Sequence, residues 1–408
     1  MRGLIFRPEF RRVLLGLAYQ RITGSIPVFP SGPLSVQDLP QEALPGRSWV
    51  RVRNRLAGVC GTDLNLLRLR FSMRSATMAR RRSLQKKVCL GHEVIGEVVE
   101  IGPDVQSFAR GQRVVFVPGT SCAGMERQPV CALCERGFPL LCLHRDEFAP
   151  SPACGGGWSE EMARHESQWL PIPDEIPDAH AVLIEPLACS VHAVLRRALV
   201  AGDTVIVIGC GMIGLGMIMA LRALSITPLR IIALSKYEYQ TGLAQAAGAD
   251  VVLRYGSDNL YEQLAKELET EVHSRGTVNQ LLHHGAAVVY DAVGSADTVH
   301  HALRWTRARG AVVMEGISPR IASFDRSVIW LREVDLLGAH GHGVEEYDGR
   351  KIHTFALIME WMKQGKLRPD RLVTKRYPLA EYRAALGAAD RKSESQAVKI
   401  LFEMERHD

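Results

Sequence analysis

The sequence of 408 residues has no apolar run of the roughly 18–20 residues that a membrane-spanning helix needs. Its nearest candidate, residues 13–19, is flanked by arginines, too short to span, and followed by no small-residue cleavage site. That reads against a signal peptide and places the chain in the cytoplasm, with no membrane partner. A strong net charge is also missing. The formal value is +6, which gives no general affinity for nucleic acid. One local basic run, Arg80, Arg81, Arg82, Lys86 and Lys87, reads as a solvated loop, with an anionic partner as the alternative. Internal repeats and low-complexity tracts are absent. A disulfide framework is not indicated either: the nine cysteines are an odd number, and four of them fall between Cys122 and Cys142. Such clustering points to a metal in a reducing compartment.

What is present is enough chain for two or three domains. The first third carries short strands at residues 1–6, 50–53, 94–101 and 113–117, punctuated by Gly and Pro, which suggests a small all-β barrel. From about Thr204 the rhythm changes. Apolar strands at 205–208, 231–234, 288–291 and 311–314 alternate with helical spacing such as 212–224. That pattern predicts an α/β, doubly wound parallel sheet with helices on both faces. An amphipathic helix over 352–363 and a final strand at 398–401 suggest a tail that returns to the first domain. The expected boundaries are 1–188 for the barrel domain, 189–340 for the parallel-sheet domain and 341–408 for the return.

Gly209-Cys210-Gly211-Met212-Ile213-Gly214 fits the Gly-x-Gly-x-x-Gly fingerprint. Alone the motif is weak, but here it follows an apolar strand and opens a helix. The first glycine permits the tight turn, the second lets backbone approach a pyrophosphate, and the third allows close packing of helix on strand. Unpaired N–H groups at the helix start then face the anion. The next strand ends in Leu234-Ser235-Lys236, where a carboxylate would serve NAD. Ser235 can donate to a ribose 2′-phosphate and Lys236 can neutralise it, so the expectation is NADP preferred over NAD.

Two further stretches carry chemistry, Cys60-Gly61-Thr62-Asp63 and Gly91-His92-Glu93. A thiolate and an imidazole suit zinc, and a catalytic site keeps one position open for water or substrate. Combined with the dinucleotide motif they are specific. The run from Gly91-His92-Glu93 through Gly96 and Gly102 to Val105, with Ile184-Glu185-Pro186-Leu187-Ala188, resembles the zinc-containing medium-chain dehydrogenase/reductase family, in its polyol and threonine dehydrogenase branch. The resemblance spans nearly the whole chain. It implies a GroES-like β-barrel catalytic domain, a Rossmann domain, a small-molecule alcohol or carbonyl substrate, and a homodimer or homotetramer.

Carried over residue by residue, the resemblance makes Cys60 and His92 ligands of a catalytic zinc, with Glu93 or Glu185 as the third. Asp63 would orient the zinc histidine, and Thr62 would receive the substrate proton. Zinc would polarise the substrate oxygen while hydride passes to the nicotinamide. Relatives often carry His near the position of Asn65; Asn65 cannot act as a base, which leaves the outer end of a proton relay open. Cys131, Cys134 and Cys142 match the last three ligands of the family's structural zinc lobe. The usual first position holds Gln128, so Cys122, set back by a longer loop, is expected to complete the four thiolates.

Trp158 has two readings, cleft wall or core. His340 and His342 read as bystanders, and Cys189 and His192 as packing residues. Against the family, segments 11–31 and 64–85 are extra, and are read as shaping a site for a larger or anionic substrate. Two alternatives stand beside this reading: a zinc-free enone or quinone reductase on the same scaffold, and a nucleic-acid-binding or structural protein. Both fit poorly beside an intact ligand set and a cofactor motif.

Overall fold

The computed structural model describes residues 1–68, 87–148, 150–274, 279–318 and 323–405. Arg80, Arg81, Arg82 and Lys86, and most of segment 64–85, fall outside the described residues. The chain divides into two compact units, Met1–Glu185 with Pro369–Asp408, and Pro186–Arg368.

The first unit is built on a sheet whose strands run, in spatial order, Val373–Pro378, Lys399–Glu403, Trp49–Gly58, Val94–Ile101, Arg113–Phe116 and Trp169–Pro171. Glu161–His165 also pairs with Trp49–Gly58. Arg2–Phe6 sits between Leu34–Asp38 and Val88–Cys89 in a smaller sheet. Val50, Val52, Val94, Val98, Trp158 and Phe402 join one core cluster. Trp158 is fully buried, donates its indole N–H to the Gly58 carbonyl at 3.0 Å, and meets Phe402 edge-on. It is a core residue, and pairing its N–H avoids the cost of about 1–3 kcal/mol for an orphaned buried donor.

The second unit holds six parallel strands, in the order Val251–Arg254, Arg230–Ser235, Thr204–Ile208, Ala286–Asp291, Thr306–Met314 and Asp335–Gly338. Numbered along the chain this is 3-2-1-4-5-6, the order of the doubly wound dinucleotide-binding sheet. Val205, Ile206, Val207 and Ile208 are buried on both faces, as a parallel strand between helical layers must be. The order reverses at Thr204–Ile208, and the crevice for a ligand lies beyond the carboxyl end of such a strand.

One boundary differs from the sequence expectation. The return begins at Pro369 rather than at residue 341. The hairpin Val344–Tyr347/Arg350–His353 and the helix Thr354–Lys363 belong to the second unit. Within that unit Glu345 meets His192 Nδ1 at 2.5 Å, and Phe355, Leu357 and Ile358 are fully buried. Ile352 shares the apolar spacing of the helix but lies in the hairpin strand, which is why periodicity alone started the helix early. The other boundary, expected at 188, falls at Glu185 inside the helix Ile184–Leu195.

Candidate active site

Cys60 lies at the junction between Trp49–Gly58 and the short helix Gly61–Leu67, immediately before its first residue. Its backbone N–H is accepted by Asp63 Oδ2 at 3.3 Å. The same carboxylate oxygen stands 3.6 Å from His92 Nδ1, so Asp63 faces both the turn and the imidazole. His92 and Glu93 precede Val94–Ile101, the strand paired with Trp49–Gly58, and this pairing carries them to Cys60. The candidate ligand atoms of Cys60, His92 and Glu93 all lie within 4.8 Å of one another. With Nδ1 turned to Asp63, the Nε2 of His92 is the nitrogen left for an ion. Burial works against the charged imidazole, yet Asp63 and Cys60 together outweigh it and raise the His92 pKa well above its ordinary value. The pocket therefore favours positive charge.

Glu93 is fully buried, and both of its carboxylate oxygens accept hydrogen bonds from Lys399 Nζ at 2.6 Å. Lys399 opens the strand Lys399–Glu403, which pairs with Trp49–Gly58 and delivers the ammonium from the end of the chain. Burial opposes its charge, while Glu93 and Cys60 raise its pKa above the ordinary lysine value. Gly58 makes this arrangement possible: a Cβ there would meet Glu93 Oε2 at 1.8 Å. Glu185 is buried in the first turn of its helix and contributes to the field at Lys399, but it is not in the Cys60, His92 and Glu93 group. Thr62 is exposed and Asn65 half-buried on the same short helix.

Cys122, Cys131, Cys134 and Cys142 form the second constellation, with sulfurs all within 4.8 Å of one another. Cys142 Sγ is 3.8 Å from Cys122 Sγ and 3.9 Å from Cys131 Sγ. Bonds of about 2.3 Å to a tetrahedral zinc place thiolates about 3.8 Å apart, so the spacing suits an ion and not a disulfide. The N–H groups of Cys131 and His144 point at Cys122 Sγ and Cys142 Sγ, each at 3.4 Å. The Leu143 N–H and then Cys134 lower the Cys131 pKa to about 6, while burial raises those of Cys134 and Cys142. The longer loop after Cys122 thus does not keep it from the other three.

In the second unit, Gly209 leaves Thr204–Ile208 with φ +91° and Gly211 precedes the helix Met212–Ala223, whose first residues are Met212, Ile213 and Gly214. A Cβ on Gly214 would lie 1.8 Å from the Gly209 carbonyl, so the third glycine is required by the packing of turn on helix. Ser235 ends its strand, buried, with Oγ 3.4 Å from Thr241 Oγ1. Lys236 is exposed, its Nζ 5.8 Å from the centre of the Tyr237 ring.

Residues 46–174 match the alcohol dehydrogenase GroES-like domain family, and residues 213–360 match the zinc-binding dehydrogenase family. The chain belongs to the zinc-dependent medium-chain dehydrogenases. It is 28% identical to L-idonate 5-dehydrogenase of Vitis vinifera over 87% of this chain and 88% of that one. It is 29% identical to erythritol/L-threitol dehydrogenase of Mycolicibacterium smegmatis over 88% and 91%. An alcohol dehydrogenase from Escherichia coli CFT073, solved with NADH, shares the fold with a TM-score of 0.74 at 20% identity, covering 99% of each chain. These kinships place it in the polyol branch, as an oxidoreductase acting between an alcohol and NAD(P)+.

What sequence reasoning missed in this dehydrogenase is Lys399. The available signal was a lysine opening the otherwise apolar run Lys399-Ile400-Leu401-Phe402, since a charge on a buried strand demands a partner. A second cation, Lys392, feels the charges of both Cys60 and Glu93, and burial lowers its pKa, with Lys399 and Arg68 adding to the effect.

Proposed function

We propose that the chain oxidises a secondary alcohol of polyol type, and reduces the matching ketone, at a zinc held by Cys60, His92 and Glu93, with NADP preferred over NAD. One observation carries the reading: a thiolate, an imidazole and a carboxylate, the donor set that suits zinc, converge within 4.8 Å beside the first turn of a short helix. When bound there, zinc supplies Lewis-acid polarisation of the substrate oxygen, and the nicotinamide supplies hydride transfer. The chain's own residues do the rest. Asp63 fixes the His92 ring through Nδ1. The exposed Thr62 hydroxyl accepts the substrate proton at Oγ1 and passes it to solvent, because Asn65 offers no base. Lys399 balances the buried charge of Glu93 so that the carboxylate is tolerated away from water. Glu185 is the alternative acidic donor. The substrate class rests on the likeness to idonate and erythritol/L-threitol dehydrogenases. The test is a panel of polyols, secondary alcohols and hydroxy acids with NADP+ and NAD+, with and without chelator. Chelator-resistant turnover, or no turnover of any alcohol in the panel, would overturn the reading.

Cofactor choice rests on Ser235 and Lys236. A carboxylate about 4 Å from a 2′-phosphate costs on the order of 4 kcal/mol at an effective dielectric near 20, and solvent screening reduces that. Ser235→Asp is therefore expected to raise KM for NADP+ by at least about tenfold and leave NAD+ unharmed. A wild-type preference for NAD+ in the same assay removes the proposal.

Four thiolates close a zinc site to substrate, so the cysteine lobe takes a structural zinc in this reading. Cys122→Ser is expected to lower bound zinc by about one ion per chain and to lower the thermal midpoint, because the ion's binding energy is part of folding. Unchanged zinc content in the variant would leave the lobe without its metal.

A further inference from the structure

The second unit carries a metal-donor group that the dehydrogenase chemistry does not use. Val272–Ser274 and Gln280–Leu282 pair antiparallel, with Val272 opposite Leu282 and His273 opposite Leu281. The pairing continues one step outward, where the His283 N–H donates to the Glu271 carbonyl at 2.9 Å. Successive side chains on a strand point to opposite faces, so Glu271 and His273 share one face, and the register sets His283 on it as well. Val272 and Leu282 lie on the opposite face, where Leu282 is fully buried in the core of the unit and Val272 packs against it. Glu271, His273 and His283 are exposed, and their ligand atoms lie within 4.8 Å of one another. His273 Nε2 is 2.8 Å from His283 Nδ1, and the His284 ring lies 4.3 Å from that of His283.

We propose that this hairpin face binds a divalent cation of the Zn²⁺, Ni²⁺ or Cu²⁺ class through Glu271, His273 and His283. Imidazole suits these ions, whereas Mg²⁺ and Ca²⁺ take oxygen ligands. Two nitrogens bound to one tetrahedral ion at about 2.0–2.1 Å stand about 3.3 Å apart. The two rings need to open by roughly half an ångström from their present contact, which exposed side chains do by small rotations. The backbone beneath them is already fixed. Beside the His283 bond to Glu271, the His284 N–H donates to Thr270 Oγ1 at 2.8 Å. Three protein donors leave the remaining positions to water. Exposure keeps those positions open, so this is an exchangeable surface site and not a closed structural one. It belongs to the second unit, whereas the thiolate-containing groups belong to the first. Its ion ties the two strands together across the register.

The test uses the full chain without an affinity tag, already loaded with zinc, and Ni²⁺ as the probe. By equilibrium dialysis, wild type is expected to take up about one Ni²⁺ per chain more than the His273→Gln/His283→Gln variant, with Glu271→Gln weakening uptake. Alcohol turnover is expected to be unchanged in all three proteins. In wild type alone, Ni²⁺ should also protect His273 and His283 from diethyl pyrocarbonate, read by mass spectrometry, so the result does not depend on a variant folding. Equal uptake by wild type and double variant overturns the assignment. So does modification of both histidines undiminished by Ni²⁺.

Discussion

Replacing His92 by alanine is expected to lower kcat by at least about 10³, and Cys60→Ala by a similar factor. Polarisation of the substrate oxygen by a divalent ion contributes several kcal/mol to the transition state, and about 4 kcal/mol corresponds to three decades at 1.36 kcal/mol each. Removing either donor leaves a set too small to hold the ion in the open, fixed geometry that the chemistry needs. The two residues reach the site by different routes. Cys60 sits at a strand-to-helix junction and His92 just ahead of the neighbouring strand, so a shared phenotype locates the ion between the strands and not on either one. The dinucleotide-binding unit is separate in sequence, so cofactor titration by fluorescence should be unaffected and reports that this unit is folded, while circular dichroism of the whole chain reports on the first unit. Zinc content should fall with the activity. Turnover within tenfold of wild type in both variants sinks the proposed mechanism.

How much of this was legible follows from where each feature is encoded. The dinucleotide turn is spelled by adjacent residues, because its constraints are local: positive φ at Gly209 and the contact of Gly214 with Gly209 arise within one turn. The pair Cys60 and His92 is non-local, yet each sits in a short recognisable stretch, so the family resemblance could join them before the strand pairing was seen. Cys122 was recoverable because a tetrahedral ion constrains sulfur positions and not the length of the loop between them. Three things were hidden. The end of the second unit is set by packing of a hairpin and helix whose apolar spacing runs on without a break from Ile352. Whether Glu93 or Glu185 faces the histidine depends on side-chain direction, which spacing does not give. Lys399 lies 306 positions from Glu93, and only the pairing of the last strand with Trp49–Gly58 brings the two together.

Lys399→Met is expected to destabilise the first unit by about 3–5 kcal/mol, because it leaves Glu93 as a buried carboxylate without its cation. The side chains of Lys399 and Glu93 are 3% and 1% exposed, so water cannot take over from the lysine. For a unit of this size the loss corresponds to roughly 10 °C in thermal midpoint. Adding Glu93→Gln to Lys399→Met should recover much of it, since a neutral amide is cheaper to bury than a lone charge. The same variants separate a structural role from one at the metal. If Glu93 donates to zinc, the ion substitutes for the lost ammonium, and the penalty of Lys399→Met should be smaller in zinc-loaded protein than after chelation. If Glu185 is the donor instead, zinc leaves Glu93 unpaired and the two penalties should be equal. A Lys399→Met protein that melts at the wild-type temperature with and without zinc would show that the buried pair carries neither function.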